Sequence, residues 1–348
     1  MNVAEDFSEA VARGRLSAAA NVVLGALAPP EPEDVVDLPP PGSAEHAAAE
    51  AAGTAALSRG EVAVVVLGGG MATRFGGAVK ATVPVLDGQT FLEIKLRQAQ
   101  AAADRYGGAV PVAVMTGWAT HEPIRAHVAE LGLPEPFLFQ QGFALRLTPD
   151  GEVFRTGDGE VSPYPTGHGE LPGALVRSGV LDRLRGSGVR HLLISNLDNL
   201  LARPDPLVVG SHLLRGRRVS VEVVRPPNPA SSGARVVRLD GRPLLLDAAE
   251  LGGRAELLPP LPLNTNTFIL DTDVTDDDLP LPWRYYEKDV EGRVAVQIEC
   301  PLHHLATLLP AAFLGVSERR FLPLKTRAEM VRHEAVLRTA LEDLHGTH

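Results

Sequence analysis

The sequence predicts an α/β protein with a mixed, mostly parallel β-sheet, helices on both faces and an N-terminal helical extension. From Glu61 onward, strand-like and helix-like segments alternate, which is typical of parallel strands joined by crossover helices. Several apolar runs are too continuous for half-exposed strands and suit strands that are covered on both faces. The chain has 348 residues, 45% of them hydrophobic, and can bury a large core.

The first 60 residues are predicted to form a helical extension with a proline-rich connector. Apolar residues spaced near the 3.6-residue period predict a helix over residues 4–27, which prolines then stop. The connector runs to Pro41, and a second, alanine-rich helix is expected over about 43–57, with Ser43 as its N-cap. We therefore assign residues 1–60 to the extension.

Residues 61–326 are predicted to form the main domain and residues 327–348 a C-terminal helix. Around Asp240-Gly241, apolar and polar residues alternate on both sides of a tight turn, which predicts a β-hairpin at an antiparallel edge of the sheet. Strands are expected at 63–67, 110–116, 137–141, 191–197, 220–224 and 261–271, and helices at 91–102, 122–131, 171–187, 206–215 and about 327–344.

Charge and composition exclude several classes of protein. The 43 acidic and 33 basic side chains give a net charge of −10, which would repel a phosphate backbone, so nucleic acid is not an expected partner. Cys300 is the only cysteine, so neither an intramolecular disulfide nor a cysteine zinc cage can form. No apolar run reaches the roughly 20 residues of a membrane helix. The N-terminus is acidic and does not resemble a secretory signal, so we expect a cytoplasmic protein away from membranes.

The glycine-rich segment after strand 63–67 is predicted to hold phosphates. It runs from Gly68 to Gly77, and Lys80 follows it. Glycines let backbone N–H groups turn toward an anion, and Arg74 and Lys80 can neutralise a triphosphate. The segment matches neither the dinucleotide-binding pattern nor the P-loop, which argues against both classes. The alternative is a purely structural turn.

Two further segments carry candidate polar groups. The strand over 191–197 places Asn196 and Asp198 at the carboxyl edge of the sheet, where ligands bind in open α/β folds, and Asp198 is the candidate Mg²⁺ ligand. The alternative for Asp198 is an Asx turn. A proline and two glycines fix the loop around His168, although a lone histidine is more often structural. His303 and His304 are expected to be structural, and the charged run 318–320 to be solvated.

Several ordered blocks together resemble the UDP-sugar pyrophosphorylases of the UTP–glucose-1-phosphate uridylyltransferase type, which are GT-A-like (Rossmann-like) transferases. The resemblance extends from about Glu61 to Leu337. Ordered blocks are far more specific than any one motif. The blocks are LGGGMATRFG with KATVPV (from Lys80) and QTFLE, VPVAVMTGWAT, FQQ (139–141), PTGHGEL with SGVLDRL, ISNLDNL, LNTNTFIL, VQIEC and RFLPLKT.

This resemblance implies that residues 61–326 form a catalytic domain that makes UDP-glucose from UTP and glucose 1-phosphate with Mg²⁺ and releases pyrophosphate. The in-line displacement would form no covalent enzyme intermediate. By resemblance, the catalytic residues are Arg74, Lys80, Asp198 and Lys325; the nucleotide-binding residues are Gly69, Gly70, Thr73, Met115, Gln141 and Gly167; and the sugar-binding residues are His168, Asn196, Asn264 and Glu299.

The sequence also departs from the family pattern. Val79 stands where a proline usually precedes the lysine, and the segment 228–233 lacks the usual lysine. We expect a short form without the C-terminal β-helix domain. Two alternatives stay open: a GTP-dependent guanylyltransferase that acts on a cyclitol 1-phosphate such as valienol 1-phosphate in antibiotic biosynthesis, and a non-catalytic nucleotide-sugar sensor. The oligomeric state is open.

The amides of Asn264 and Asn266 are expected to point to one face of their strand, because side chains alternate along a regular strand.

Overall fold

The computed structural model describes residues 3–72, 77–225, 232–276 and 279–342. The α-helices are Val3–Ala12 (α1), Ala18–Asn21 (α2), Ala44–Ser58 (α3), Phe91–Tyr106 (α4), His121–Leu131 (α5), Leu171–Arg177 (α6), Val180–Gly186 (α7), Pro206–Arg215 (α8), Ala248–Leu251 (α9), Leu305–Leu308 (α10), Arg327–Arg332 (α11) and Glu334–Glu342 (α12). The strands are Leu27–Ala28 (β1), Val35–Asp37 (β2), Val62–Leu67 (β3), Met71–Ala72 (β4), Ala78–Val79 (β5), Pro84–Leu86 (β6), Gln89–Thr90 (β7), Val112–Thr116 (β8), Phe137–Gln140 (β9), Phe143–Leu145 (β10), Pro163–Pro165 (β11), His191–Asn196 (β12), Val219–Val224 (β13), Arg235–Leu239 (β14), Arg242–Leu246 (β15), Leu263–Asp271 (β16), Arg284–Val290 (β17), Arg293–Glu299 (β18) and Ala311–Gly315 (β19).

The central sheet is mixed and mostly parallel, as predicted. Its strands follow the order β2-β19-β13-β16-β12-β3-β8-β9. Strand β16 is antiparallel to both neighbours, β12 and β13, whereas the other pairs along this path are parallel. The predicted hairpin also forms, as β14 and β15, with Asp240 at φ 49° and Gly241 at φ 78° in its turn.

The apolar run of β3 is buried on both faces of the sheet. Val64 packs in one hydrophobic cluster with Phe91 of α4. Val65 packs in a second cluster with Leu175 of α6. Because alternate residues of a strand face opposite sides, a strand covered by helices on both sides needs an uninterrupted apolar sequence. The predicted fold class is therefore confirmed.

The N-terminal region departs from the prediction of one helix over residues 4–27. Helix α1 ends at Ala12, and Gly14 follows with φ 69°, a left-handed conformation that ends a helix. Ser17 then caps the short α2, and Leu27–Ala28 pair with β14. Periodicity alone did not reveal these breaks.

Two other predicted helices are also interrupted. Gly179, with φ 71°, separates α6 from α7 within 171–187. His333 separates α11 from α12 within 327–344, and the description of the last helix ends at Glu342. In the described ranges, no helix is both long and apolar enough to span a membrane.

Helix α3 of the N-terminal region packs backbone to backbone on α8. A Cβ atom added at Gly53 would lie 1.8 Å from the carbonyl oxygen of Pro206, and one at Gly210 would lie 1.7 Å from that of Ala49. Such distances are impossible for real atoms, so the two glycines set the spacing of the helices. The N-terminal region and the sheet domain therefore share one core.

We expect Gly210→Ala to lower the free energy of unfolding by about 3 kcal/mol, because the helices must separate to admit the methyl group. Gly186→Ala is the matched control, since Gly186 also lies in a helix and a Cβ there meets nothing within 4 Å. The control should change stability by no more than about 1 kcal/mol. Urea denaturation measures both, and equal effects would contradict this account of the packing.

Candidate active site

A cleft opens at the carboxyl ends of β3, β8 and β12. It has a first chamber of about 850 Å³ and a second chamber of about 330 Å³. The walls of both chambers include Gly167, His168, Asn196, Glu299 and Lys325, so these residues mark the junction.

The structure brings the predicted site residues of the described ranges together in this cleft. Asn264 lines the second chamber. The others line the first: Gly69, Gly70, Lys80, Met115, Gln141, Gly167, His168, Asn196, Asp198, Glu299 and Lys325. Thr73 and Arg74 lie outside the described residues, as do positions 228–231 of the segment that lacks the family lysine.

The glycine-rich segment places backbone directly against Gln141. A Cβ atom at Gly69 would lie 1.8 Å from Gln141 Nε2, so a larger residue there would displace the Gln141 side chain, whereas a Cβ at Gly70 would meet nothing within 4 Å. Gln141 is buried, and its Oε1 accepts no hydrogen bond from any residue in the described part of the chain. A buried amide oxygen without a partner suits a ligand that donates an N–H group.

The loop that carries His168 is fixed by close contact with Cys300. The amide of Gly169 donates to the carbonyl of Cys300 at 2.7 Å, and a Cβ at Gly169 would lie 2.6 Å from that oxygen. The amide of Leu302 donates to His168 Nδ1 at 2.9 Å. Burial, together with the nearby His303, lowers the pKa of His168 to about 4. The imidazole is therefore neutral at pH 7, and its Nε2 carries the proton.

Lys80 and Asp198 form an ion pair in the first chamber. Lys80 Nζ lies 2.7 Å from Asp198 Oδ2, and the side chains are only 16% and 15% exposed. Asp198 Oδ1 is buried, and among the described residues it has no hydrogen-bond partner. The amide of Leu324 donates to the Asp198 carbonyl at 3.1 Å, which brings the neighbouring Lys325 to the same site.

Asn264 and Asn266 both line the second chamber, as predicted, but regular alternation does not place them there, because β16 contains a bulge. Asn264 pairs with Val223 and Thr267 with Glu222, so residues 265 and 266 are extra, and Asn266 has φ 57°. Asn264 Oδ1 accepts from the Asn266 amide at 2.8 Å. Asn266 Nδ2 in turn donates to Asn196 Oδ1 at 2.7 Å. The bulge therefore builds a chain of three amides along the wall of the cleft.

Sequence comparison places the chain in a family. The profile of the family described as UTP–glucose-1-phosphate uridylyltransferase matches residues 5–339. The chain belongs to this family. The UTP–glucose-1-phosphate uridylyltransferase of Astragalus penduliflorus is 27% identical over 297 residues, which is 80% of this chain and 63% of that protein. The Solanum tuberosum protein of the same name is 24% identical over 300 residues, or 81% of this chain and 63% of the relative. The chain thus spans less than two thirds of the length of these curated relatives.

Solved structures share the fold of this family member. A UDP-N-acetylglucosamine pyrophosphorylase from Trypanosoma brucei superposes with a TM-score of 0.76 at 19% identity, over 91% of this chain and 75% of that one. The UDP-glucose pyrophosphorylase from Leishmania major gives a TM-score of 0.72 at 21% identity, over 95% of this chain and 79% of that one. At these identities the likeness describes the fold alone.

Lys95 is a buried residue of this site region that sequence reasoning missed. It lies on α4, is 1% exposed, and its Nζ donates to Ser195 Oγ at 3.1 Å. The same nitrogen donates to the carbonyls of Asn199 at 2.7 Å and Ala202 at 2.8 Å. Burial lowers the pKa of Lys95 to about 7. Its three hydrogen bonds hold both sides of the turn that carries Asp198.

Arg320 corrects the expectation that the run 318–320 is solvated. Its side chain is only 11% exposed and pairs with Glu222 at 2.8 Å and Asp205 at 3.0 Å. The side-chain amide of Asn199 binds the same segment, donating to the Arg320 carbonyl at 3.1 Å and accepting from the Leu322 amide at 3.1 Å. Arg320 therefore anchors the segment that ends at Lys325.

Beside the predicted Glu299, the second chamber holds three polar residues that no sequence motif indicated, Asp247, Tyr286 and Lys288. The Tyr286 hydroxyl donates to Asp247 Oδ2 at 2.6 Å. Lys288 Nζ lies 4.0 Å from Glu299 Oε1, and burial raises the pKa of Glu299. These residues come from the end of β15 and from the β17–β18 hairpin, and the fold alone brings them together. The chamber thus offers both hydrogen-bond donors and acceptors to a ligand.

His303 and His304 differ in their surroundings. His303 lines the second chamber, and its Nε2 lies 3.0 Å from Glu250 Oε2. Burial would raise the pKa of Glu250, but the His303 hydrogen bond and the neighbouring histidines lower it to about 2. His304 is 1% exposed, and burial lowers its pKa to about 3. The structural role predicted for His304 agrees with this burial.

We expect stability to fall as the pH drops below about 6.5, because unfolding lets the neutral, buried His304 take up a proton. Its pKa is near 3 in the folded protein, so between about pH 6.5 and pH 3 the unfolded chain binds more protons. By pH 5 this costs about 2 kcal/mol at ~1.4 kcal/mol per pKa unit. Urea denaturation should show a shallower loss between pH 7 and pH 5 for His304→Leu than for the wild type. Parallel losses would contradict a neutral His304.

Proposed function

We propose that the protein is a sugar-1-phosphate nucleotidyltransferase, which joins a nucleoside triphosphate to a sugar 1-phosphate and releases pyrophosphate. The observation that carries the proposal is the ion pair of Lys80 and Asp198, which lies with Lys325 at the carboxyl edge of the sheet. Family membership supports the same reaction. The first chamber would take the nucleotide and the second the sugar.

In this reaction an oxygen of the sugar 1-phosphate attacks the α-phosphorus in line, and the bond to pyrophosphate breaks. The phosphate of the sugar is already an anion, so no base has to remove a proton. Catalysis then depends on positioning and on charge neutralisation, which Lys80 and Lys325 supply. The neutral His168 can donate from Nε2 at the junction of the chambers, where the two substrates would meet.

We propose Mg²⁺ as the cofactor, held by Asp198. A carboxylate oxygen is the ligand that Mg²⁺ prefers, and the buried Oδ1 of Asp198 has no other partner in the described ranges. When bound there, the ion would neutralise charge on the triphosphate.

For the substrates, we propose UTP and glucose 1-phosphate. Gln141 Oε1, which has no hydrogen-bond partner among the described residues, fits the N–H edge of a base, and uracil presents one such group. Guanine also presents N–H donors, so GTP could bind in the same way. In the second chamber, the hydrogen-bonding groups of Asp247 and Tyr286 suit the hydroxyls of either a sugar or a cyclitol. The uridylyltransferase and guanylyltransferase hypotheses therefore differ in their substrates and share one mechanism.

A pyrophosphate-release screen distinguishes between these two hypotheses. Four nucleoside triphosphates are each combined with glucose 1-phosphate, N-acetylglucosamine 1-phosphate and a cyclitol 1-phosphate. The proposal predicts the fastest release with UTP and glucose 1-phosphate, and preference for GTP with the cyclitol would establish the alternative. If the protein binds a nucleotide sugar but releases pyrophosphate in none of these combinations, it is a nucleotide-sugar sensor. That result would overturn the enzymatic proposal.

The two chambers should respond separately to mutation. Asn264→Ala should lower kcat/KM for the 1-phosphate by about 5- to 150-fold, which corresponds to about 1–3 kcal/mol for unpaired groups. The KM for the triphosphate should change by less than about twofold, because Asn264 lines the second chamber. Gln141→Ala, the matched amide of the first chamber, should give the opposite pattern in steady-state kinetics. Equal losses on both substrates in both variants would contradict the assignment of the chambers.

A further inference from the structure

Two histidines and an aspartate meet at the end of β12 opposite the cleft. His191 begins β12, and it pairs in register with Asp271, the last residue of β16. His212 reaches the same point from α8. At about 3.3 Å per residue, the length of β12 places this His–Asp–His cluster about 17 Å from Asn196, which lines the cleft. The cluster has no part in the proposed reaction.

The potential ligand atoms of the three side chains converge on one point. His191 Nδ1 lies 2.7 Å, and His212 Nε2 lies 2.9 Å, from the same Asp271 Oδ1. All three atoms lie within 4.8 Å of one another. Ligands of a tetrahedral zinc ion are about 3.3 Å apart, given metal–ligand bonds of about 2.0–2.1 Å. Displacements of less than about 1 Å would therefore admit an ion.

His212 also has the outer-shell partner that a metal-binding histidine needs. Its Nδ1 lies 2.8 Å from the hydroxyl of Ser220. A hydroxyl can either donate or accept, so Ser220 can support the tautomer whose Nε2 lone pair is available to a metal. His212 is 1% exposed, whereas Asp271 is 28% exposed, which leaves a side open to an ion and a water ligand.

The charges around the cluster leave room for a cation. In the described part of the chain, the Asp271 carboxylate pairs only with the two histidines. Two nearby arginines have acidic partners: Arg218 lies 3.1 Å from an oxygen of Asp273, and Arg190 lies 3.8 Å from one of Glu61.

A comparable cluster elsewhere in the protein is already neutralised. Glu250, His303 and His304 also bring three potential ligands together. There, however, Arg284 Nε lies 2.9 Å from Glu250 Oε1 and supplies the positive charge. The His–Asp–His cluster lacks an arginine in that position within the described ranges.

We propose that His191, His212 and Asp271 form a zinc-type metal site, with water as the fourth ligand. Two imidazole nitrogens and one carboxylate favour Zn²⁺ or a similar transition metal over Mg²⁺, which prefers oxygen ligands. The ion would tie β12, β16 and α8 together and stabilise the folded chain, because it binds the folded state alone.

Calorimetric titration of ZnSO₄ into the metal-stripped, untagged full-length protein tests this site. We expect saturable binding of one ion per chain and a rise in Tm. His191→Gln should weaken binding by at least about tenfold. His46→Gln is the matched control, because His46 lies 3.6 Å from Glu50 but has no third ligand among the residues that the structure describes, and it should bind zinc like the wild type.

Further variants locate the ion and guard against misfolding. Asp198→Asn should bind zinc normally; loss of binding in this variant with retention in His191→Gln would place the ion in the cleft and overturn the proposal. If His191→Gln fails to fold, zinc binding is measured with Asp271→Asn instead. The visible spectrum of Co²⁺ bound to the wild type then gives a second test. Tetrahedral bands that indicate histidine ligands support the site. Absence of saturable binding by the wild type refutes it.

Discussion

Asp198→Asn is expected to lower kcat by roughly a hundredfold or more while the protein stays folded. The substitution keeps the shape of the side chain but removes the charge that pairs with Lys80 and that would hold Mg²⁺ against the phosphates. Asp198 lies on the surface of the cleft, outside the hydrophobic core, so circular dichroism and Tm should resemble those of the wild type. Initial rates of pyrophosphate release at saturating substrates measure the effect.

Two controls sharpen this test. Asp104→Asn changes an exposed aspartate on α4 and should leave kcat within about twofold. A series of Mg²⁺ concentrations then separates weak metal binding from lost chemistry, since high Mg²⁺ restores only the former. Near-native turnover of Asp198→Asn at every Mg²⁺ concentration, low as well as saturating, would remove Asp198 from the site.

Lys80→Ala is expected to reduce kcat by about a hundredfold or to weaken triphosphate binding to a similar extent. A lysine that is 16% exposed makes a charge-assisted contact worth a few kcal/mol, about twice that of a neutral hydrogen bond. Steady-state kinetics with the triphosphate varied would measure both effects. Unchanged kinetics would mean that Lys80 lies away from the phosphates.

The double variant tests whether Lys80 and Asp198 act as a unit. Their charged atoms lie 2.7 Å apart, so the two losses should not add. We expect the double variant to be slower than either single variant by less than about tenfold. If the two losses added fully, kcat of the double variant would fall by about ten-thousandfold relative to the wild type. That result would show that the two residues act independently.

The architecture was predictable because burial on both faces requires continuous apolar sequence. The runs of β3 and β12 revealed a parallel sheet, and the position of Asp198 after such a run indicated the edge where ligands bind. The helix boundaries were less predictable. Gly14 and Gly179 break helices through their backbone conformation, which apolar periodicity does not report.

The site was predicted only where a motif marked it. Lys95 resembles a solvated residue of an amphipathic helix, and it is buried because α4 covers the turn after β12. Arg320 was misjudged for the same reason, since its acidic partners come from distant segments. Asn266 adopts a left-handed conformation because it lies in a β-bulge. The alternation of polar and apolar residues in a sequence does not show where a bulge occurs. Contacts that only the tertiary fold creates were therefore beyond sequence reasoning.

Isotope exchange between labelled pyrophosphate and the nucleoside triphosphate tests the central claim most directly. A single in-line displacement at the cleft predicts that label enters the triphosphate when the nucleotide sugar is present, and that Asp198→Asn slows this exchange by about a hundredfold. Without sugar 1-phosphate or nucleotide sugar, no exchange is expected, because no covalent nucleotidyl-enzyme forms. Exchange in their absence, or no exchange with any nucleotide sugar, would contradict the account.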